Sequence, residues 1–304
     1  MSLKKIWLKV TSRNKYFQYK QDQIQESKKN LYKNKIQKFL DKAEDCIKSK
    51  NEISFLHSGH LGDVINALPL IKKISKKKKC NYYIESEKKI PEHAQNNLHP
   101  FGNIYLNKNS VNMILPLLKR QPYLNSAEEF KNQNIDIDLN FFRELPLNFN
   151  LDSIRWYSHL TGIHPDLSQT YIETDDHKLL RNKIIIMRSS RRKNFLINYK
   201  FLNNYKDIVF LGLKGEFLDL KKEILNLDFY DCKNFLEMAE IIKNSKIFIG
   251  NLSFGYTLAE GLKVSRLLES NPEFPLVYPN GGKGYDFYFQ NHFESIFKKL
   301  YSES

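Results

Sequence analysis

Two successive series of alternating strand and helix patterns constrain the fold of this chain more than any other feature. The first series lies between residues 51 and 165. Its predicted strands are ISFLH (53–57), NYYIES (81–86), NIYL (103–106) and IDIDLNF (135–141). Its predicted helices begin at Asp63, at VNMILPLLKR (111–120) and at SIRWYSHLTGI (153–163). Strands that alternate with helices predict a parallel sheet with helical crossovers.

The second series begins after a polar connector that ends at His177. Its predicted strands are KIIIM (183–187), KDIVFLGL (206–213), KIFIG (246–250), VSRLLE (264–269) and PLVY (275–278). Its predicted helices lie near 198–205, 216–225, 234–244 and 255–262, with an amphipathic helix at 287–300. We therefore expect an α/β fold with two Rossmann-like domains that face each other across a cleft, one at 51–170 and one at 171–304.

Residues 1–50 form a third section, rich in lysine, glutamine and asparagine, with short helical stripes such as Ile36, Phe39, Leu40 and Ala43. We expect a helical extension here. Two interpretations remain open: solvent-facing helices that pack on the rest of the chain, or a basic amphipathic segment that contacts anionic lipid.

The composition limits the partners and the compartment. The net charge of +14 favours anionic partners. Lysine is abundant throughout and no nucleic-acid-binding module is recognisable, so no nucleic-acid partner is expected. The first ten residues lack the apolar core of a secretory signal, no apolar run approaches the roughly 20 residues of a membrane span, and the three cysteines are scattered. These features predict a cytoplasmic protein, with peripheral contact to an anionic membrane as an alternative.

The turn after the first strand is the first candidate site. In HSGHLGDVINALPLIKKI (57–74), Gly59 and Gly62 separate the strand from an amphipathic helix expected to open at Asp63. Glycines at such a turn let the backbone approach a ligand, and a helix start offers free N–H groups. Asp63 is then either an ordinary N-cap or a functional carboxylate.

Three loops of the second series are candidate anion sites. RSSRRKN (188–194) places cations and two hydroxyls directly after a buried strand, which suits phosphate oxygens, although a solvated turn has the same composition. NLSFGYTLAEGL (251–262) is a polar loop that opens a helix. PNGGKGYDF (279–287) places three glycines around Lys283, as a flexible turn or for close approach to a ligand.

Taken together, these segments resemble the heptosyltransferase-type GT-B glycosyltransferases. HSGHLGDVINALPLI resembles that family's opening motif, and four later segments follow in the family's order: IDIDLN (135–140), MRSSRRKN (187–194), VFLGLKGE (209–216) and IFIGNLSFGYTLAEGL (247–262). The resemblance covers most of residues 51–300. In the last motif Leu252, Phe254 and Thr257 replace the family's aspartate, glycine and histidine.

The resemblance implies transfer of a sugar from a nucleotide-sugar donor to a glycan or lipid-linked acceptor, without a metal or another cofactor. It implies that Asp63 is the general base for the acceptor hydroxyl. The residues expected on the acceptor side are His57, Gly59, His60 and Gly62. The residues expected to bind the nucleotide-sugar are Arg188, Ser189, Ser190, Arg191, Lys193, Gly212, Glu216, Asn251, Ser253, Gly255, Glu260, Gly282 and Lys283.

Other functions have weaker support in the sequence. Asp136 and Asp138 spell the DxD pattern of metal-dependent glycosyltransferases, but no cluster of further ligands accompanies them, so no metal is expected. A dehydrogenase would need GxGxxG after the first strand, and HSGHLGD (57–63) does not supply it. The main alternative is a relative that binds a nucleotide or sugar without catalysis. Leu252 makes this alternative credible because it replaces the aspartate of the resembled motif. A basic scaffold for nucleic acid is a third candidate function.

Overall fold

The computed structural model describes residues 3–92, 102–144, 152–271, 273 and 277–303. The chain forms two compact units, Met1–Ser49 and Lys50–Ser304. The first unit is helical: α1 (Leu3–Thr11), α2 (Arg13–Leu31), a π-helical turn (Tyr32–Ile36) and α3 (Gln37–Ser49). The side chain of Ser12 caps α2 by accepting a hydrogen bond from the backbone N–H of Lys15.

The second unit begins with a parallel four-stranded sheet. Its strands are β1 (Glu52–His57), β2 (Lys79–Ile84), β3 (Ser126–Glu129) and β4 (Ile137–Asp138), in the order β3-β2-β1-β4. The chain therefore adds β2 and β3 on one side of β1 and returns to place β4 on the other. In open α/β sheets ligands bind at such a reversal, beyond the carboxyl ends of the strands.

The helices of this half are α4 (Leu61–Asn66), α5 (Leu68–Ser75), α6 (Lys108–Lys119) and α7 (Ser153–Thr161), with a 3-10 turn at Phe141–Glu144. The β1 strand is buried through Ile53 and Phe55, and α5 covers the sheet with Leu68, Leu70 and Ile71. Helix α4 begins at Leu61, with His60 at its N-cap position. The prediction that the helix opens at Asp63 is therefore wrong by two residues, and Asp63 is not its N-cap.

A second parallel sheet, of six strands, follows. Its strands are β5 (Ile184–Met187), β6 (Ile208–Leu211), β7 (Leu227–Tyr230), β8 (Ile247–Asn251), β9 (Arg266–Glu269) and β10 (Gly284–Phe287), in the order β10-β9-β8-β5-β6-β7. Its helices are α8 (Lys214–Leu220), α9 (Phe235–Lys243), α10 (Phe254–Leu262) and α11 (Gln290–Ser302), with 3-10 turns at Ser190–Arg192 and Lys200–Asn204. The strand order reverses between β5 and β8.

The two parallel sheets confirm the predicted α/β class. The prediction of a strand at 103–106 is wrong, because only an isolated antiparallel bridge joins Ile104 to Lys89 there. The prediction at 135–141 is too long, since β4 has two residues. Strands β3, β7 and β10 were not predicted. Residues 275 and 276 of the predicted strand PLVY lie outside the described residues, and 277 and 278 are not in a strand.

Candidate active site

The two strand-order reversals meet in one region of the second unit. Helix α4 follows β1 and helix α10 follows β8, so both helices start at the carboxyl ends of central strands. An ideal Cβ built on Gly62 of α4 would lie 3.3 Å from Cγ2 of Thr257 in α10. The missing side chain at Gly62 thus lets the two helix starts touch, and the loops at both reversals lie beside this contact.

Asp63 lies in the first turn of α4 and is ion-paired with Arg143. Arg143 belongs to the 3-10 turn that follows β4, so the pair joins the two loops of the first reversal. The side chains are mostly buried, with 16% of Asp63 and 18% of Arg143 exposed. The Arg143 guanidinium also lies 4.9 Å from the centre of the Phe142 ring, which restricts its orientation.

Burial alone would raise the pKa of Asp63, because it disfavours the charged carboxylate. The positive charge of Arg143 acts in the opposite direction and is the largest of the influences that lower this pKa. The net effect holds the pKa of Asp63 below its ordinary value. Asp63 is therefore an ionised acceptor at neutral pH.

His57 is fully buried and shapes the glycine turn. Its Nδ1 accepts a hydrogen bond from the backbone N–H of Gly59 at 3.0 Å, so its Nε2 carries the proton and donates to the hydroxyl of Tyr157 at 2.8 Å. That hydroxyl donates in turn to the backbone carbonyl of Asp63 at 3.1 Å. Burial lowers the pKa of His57 to about 3. The neutral imidazole thus positions the backbone of Asp63.

His60 is the second histidine predicted on the acceptor side. Its Nδ1 lies 3.3 Å from the carbonyl oxygen of Tyr105, an arrangement in which Nδ1 donates. Burial lowers the pKa of His60 to about 4, so this ring is also neutral at physiological pH. The ring stands at the N-terminus of α4, one turn before Asp63.

Unpaired polar atoms surround the glycine turn. Among the described residues, Ser58 Oγ, Arg143 Nε and both side-chain polar atoms of Asn140 are buried without a hydrogen-bond partner. A Cβ on Gly59 would lie 3.0 Å from Asn140 Oδ1 and 3.3 Å from Arg143 Nε, so these atoms converge on the turn. Unpaired buried polar groups cost about 1–3 kcal/mol each. A bound hydroxyl-rich ligand would remove that cost.

The second reversal is held together by Asn251, the last residue of β8. Its side-chain amide accepts from the N–H of Ser189 at 2.9 Å and donates to the carbonyl of Ser189 at 2.7 Å. Asn251 is fully buried. These two bonds fix the start of the 188–194 loop against the β8 loop, so Asn251 acts here as a brace between the two loops.

Arg188 lies in the interior instead of facing the loop's open side. Only 3% of its side chain is exposed, and its guanidinium donates to both carboxylate oxygens of Glu269, at 2.7 and 3.0 Å. It also donates to the carbonyls of Asn194 and Ile197. These contacts occupy the guanidinium, and its position does not suit the predicted phosphate contact.

Arg191 and Arg192 belong to the same loop and interact electrostatically with residues of the first reversal. The charge of Arg191 contributes to the lowered pKa of His60. Burial and the charge of Arg191 lower the pKa of Arg192 to about 10, while Asp63 acts in the opposite direction. Two cations from the second half are thus close enough to His60 and Asp63 to affect them electrostatically. Arg192 was not among the predicted site residues.

The remaining loop residues support this arrangement. Lys193 is ion-paired with Asp219. Glu216, in the first turn of α8, accepts from the backbone N–H of Ser190 at 3.1 Å. Gly212 has a φ of +128°, a backbone conformation that favours glycine. Glu216 and Gly212 therefore shape the loop, and Lys193 is directed toward α8.

Helix α10 offers one unpaired group and one close packing contact. Ser253 occupies its N-cap position, and its buried hydroxyl has no hydrogen-bond partner among the described residues. A Cβ on Gly255 would come within 2.1 Å of Met187 Sδ, so Gly255 allows α10 to pack on β5. The hydroxyl of Ser253 remains available to an anion at the helix N-terminus.

Glu260 is occupied by protein groups. It accepts from Arg266 Nε at 2.6 Å and from the N–H of Asn280 at 3.0 Å, and it is ion-paired with Lys263. Its predicted role in binding the nucleotide-sugar stays a prediction. In the 279–287 segment, Gly282 has a φ of +59°, and Lys283 lies 3.3 Å from the carbonyl of Glu303, which directs its charge toward the C-terminal helix.

Asp152 is a further residue that the sequence did not indicate. It caps α7 and lines a small cavity together with Asn66, Tyr171, Leu252, Tyr256, Thr257, Glu260, Tyr278 and Asn280. Burial raises the pKa of Asp152 to about 6. The cavity contains residues of both halves, so a titratable carboxyl lies between them.

The DxD pattern is accounted for by protein contacts. Asp136 is ion-paired with Lys50 and accepts from the N–H of Ser54, while Asp138 accepts from the N–H of Asn140 at 2.8 Å. Within the described residues, no group of three or more His, Cys, Asp or Glu side chains is arranged to hold a metal ion. The helices of the described ranges include none that combines the length and apolar character needed to cross a bilayer.

Comparisons with known proteins support the fold. No protein-family model and no curated protein matches the sequence. The structure is similar to that of a glycosyl transferase family 9 protein from Veillonella parvula DSM 2008, with a TM-score of 0.52 and 15% identity; the match covers 84% of this chain and 98% of that chain. It is also similar to the E. coli ADP-heptose LPS heptosyltransferase II, with a TM-score of 0.51 and 12% identity. That match covers 83% of this chain and 99% of the heptosyltransferase chain.

At these identities the likeness is one of fold, and it agrees with the family that the sequence motifs resemble. The second unit contains two parallel sheets, each with a reversal of strand order, as the resemblance implies. The fold is therefore that of the GT-B glycosyltransferases.

Proposed function

We propose that this protein is a glycosyltransferase that moves a sugar from a nucleotide-sugar donor to a hydroxyl of a glycan or lipid-linked acceptor. The observation that carries the proposal is that the starts of α4 and α10 adjoin at Gly62 and Thr257, which brings a carboxylate of one half into electrostatic range of a cation of the other. Asp63 is buried and ionised at the first reversal, and its charge interacts with Arg192 from the second. A transfer that deprotonates a hydroxyl and releases a diphosphate needs both kinds of group.

In the proposed reaction, the acceptor hydroxyl donates a hydrogen bond to Asp63 as its oxygen attacks the anomeric carbon. The bond between that carbon and the diphosphate oxygen breaks with its electron pair, and the hydroxyl proton passes to Asp63. The hydroxyl becomes strongly acidic only in the transition state, so a carboxylate with a lowered pKa can still accept its proton. Arg143 holds the carboxylate in place through the ion pair.

The leaving diphosphate gains negative charge as the glycosidic bond breaks. Arg191, Arg192 and the N-terminus of α10, with the unpaired hydroxyl of Ser253, would stabilise this charge without a metal ion. The acceptor side has the unpaired polar atoms of Asn140 and Ser58, which suit the hydroxyl groups of a glycan. An acceptor that bonds to them would also be aligned with Asp63.

The donor is proposed to be a nucleoside diphosphate sugar, and an ADP-sugar is the first to test because one similar structure is an ADP-heptose transferase. A second candidate function is nucleotide-sugar binding without turnover. It is favoured by Leu252, which stands where the resembled motif has aspartate and which lines the small cavity beside Tyr256.

A panel of ADP-, UDP-, GDP- and CMP-sugars tests the proposal by thermal shift and by release of nucleoside diphosphate. A donor that binds the native state raises the melting temperature. The double variant Arg191→Ala, Arg192→Ala should lose the shift. The matched variant Lys222→Ala, Lys298→Ala removes equal charge from side chains that are 77% and 64% exposed, and should keep it. A shift without release supports the binding protein; no shift with any sugar contradicts both functions.

A further inference from the structure

The first helix of the chain presents its apolar side to solvent. Within α1, Leu3 is 85% exposed, Ile6 46%, Trp7 63% and Val10 82%. These positions follow the i, i+3, i+4, i+7 spacing that places side chains on one helix face. A stripe of this kind normally faces a protein core, so its exposure needs an explanation.

The opposite side of α1 is the covered one. Leu8 is 7% exposed, Lys5 is half-buried, and Lys4 lies 5.3 Å from the ring of Tyr19 in α2. The helix therefore packs within its unit through the side that carries Leu8 and leaves the stripe of Leu3, Ile6, Trp7 and Val10 outward. We call these four residues the α1 stripe.

Positive charge is concentrated in the segment of the chain that carries the α1 stripe. Residues 3–38 contain eleven basic and two acidic side chains, a net charge of +9 out of +14 for the whole chain. Helix α2 has no buried residue and adds exposed Phe17 and Ile24, at 49% and 48%. A surface that combines basic side chains with projecting apolar and aromatic ones is typical of proteins that bind the surface of an anionic membrane. The basic groups bind the headgroups, and the apolar groups contact the acyl chains.

We propose that the α1 stripe inserts into the headgroup region of an anionic lipid membrane while the surrounding lysines bind the lipid phosphates. Helix α1 has nine residues, so at about 1.5 Å per residue it is far shorter than the roughly 30 Å of a bilayer core and lies in the plane of the interface. A nucleic acid would use the same charge but offers no apolar phase for Leu3, Ile6 and Val10. The proposal is independent of the proposed catalytic function.

The test measures binding of the full-length protein to phosphatidylcholine vesicles with and without phosphatidylglycerol, by sedimentation at low and high salt. We expect binding only to the anionic vesicles, weakened by salt as surface charges are screened. The double variant Trp7→Ser, Val10→Ser should lower the partition coefficient on the order of ten-fold or more, because two large apolar groups no longer leave water. Both side chains are exposed, so the melting temperature should stay unchanged.

Two controls make the result specific to the α1 stripe. Leu179→Ser, Leu225→Ser removes side chains that are 81% and 74% exposed elsewhere and should bind as the wild type does. Trp7 and Trp156 are the only tryptophans. Trp7→Phe should therefore abolish a blue shift of the emission on binding and keep the sedimentation. No sedimentation of the wild type at low salt, an unchanged partition coefficient in the Trp7, Val10 variant, or binding to a DNA duplex but not to vesicles would each overturn the proposal.

Discussion

Asp63 and Arg143 are 80 residues apart in sequence, yet their side chains form an ion pair between the two loops at the first strand-order reversal. One residue comes from the helix after β1 and the other from the turn after β4. Arg143 keeps the pKa of Asp63 low in a site where burial would raise it. The proposed base is therefore charged and oriented before a substrate arrives.

Replacing Asp63 with asparagine should lower turnover on the order of 10²–10⁴-fold, because an amide cannot accept the proton of the acceptor hydroxyl. Donor affinity, measured by thermal shift, should change little, since the proposed phosphate ligands lie in the second half. Some stability should be lost, because Arg143 would be left buried without its anionic partner.

Asp136→Asn is the matched control for that loss of stability. Asp136 is also paired with a cation, Lys50, and its side chain is 10% exposed, close to the 16% of Asp63. The control should retain its turnover and lose less stability than Asp63→Asn, because the side chain of Lys50 is 43% exposed and that of Arg143 only 18%. Equal turnover in the two variants would contradict a role for Asp63 as the base.

Arg143→Met should shift the pH dependence of kcat/KM. Without the guanidinium, burial becomes the dominant influence and raises the pKa of Asp63. The acid limb of the profile, which reports protonation of the free enzyme's base, should therefore move to higher pH. Arg143→Lys should restore the limb partly. Arg155→Met, at an exposed position on α7, should leave the acid limb unchanged. An acid limb that does not shift in Arg143→Met would show that Arg143 does not control the pKa of Asp63.

Two arginines of one loop should differ in what they stabilise. Arg188→Met leaves Glu269 fully buried without its cationic partner and should cost about 3–5 kcal/mol of unfolding free energy, with donor affinity of the folded protein preserved. Arg191→Ala should change stability by less than about 0.5 kcal/mol and weaken donor binding roughly ten-fold. Denaturant unfolding and donor titration check both. The reverse pattern would place Arg188 at the phosphates, as the sequence suggested.

Asp152→Asn should stabilise the protein in a pH-dependent way. Burial raises the pKa of Asp152 from 3.8 to about 6, so between these values the folded chain holds a proton that the unfolded chain has lost. Stability then falls as the pH rises through this window. Asparagine keeps the N-cap and does not titrate. The melting temperature of the variant minus that of the wild type should grow between pH 4 and 6 and stay constant above; a difference independent of pH would contradict the raised pKa.

The strands that the sequence predicted best are the central ones. KIIIM and KIFIG are continuous apolar runs because both faces of a central parallel strand are buried. The three strands that were missed, β3, β7 and β10, are all edge strands. Their sequences SAEE, LDFY and GYDF carry polar side chains that a half-exposed edge tolerates, so no apolar run distinguishes them from loops.

The candidate site was predictable where local sequence determines it. Two glycines between a strand and a helix indicated the turn before Asp63, and the resemblance supplied its proposed role. The partners of Asp63 and Arg188 were not predictable. The strand order alone brings Arg143 next to Asp63 and Glu269 next to Arg188. An arginine that follows a strand can point inward or outward, and the carboxylate that decides this for Arg188 lies 81 residues away.

The contact between Gly62 and Thr257 bears on how substrates enter. In any rotation of one half against the other, points near the axis move least. If α4 and α10 stay in contact while the halves turn, parts of the two halves far from this contact separate, whereas Asp63, one residue from Gly62, keeps its distance from the start of α10. Such a pivot would let the proposed sugar-nucleotide donor exchange with solvent while the proposed catalytic arrangement around Asp63 stays intact. A larger side chain at position 62 would displace that pivot, and with it the carboxylate.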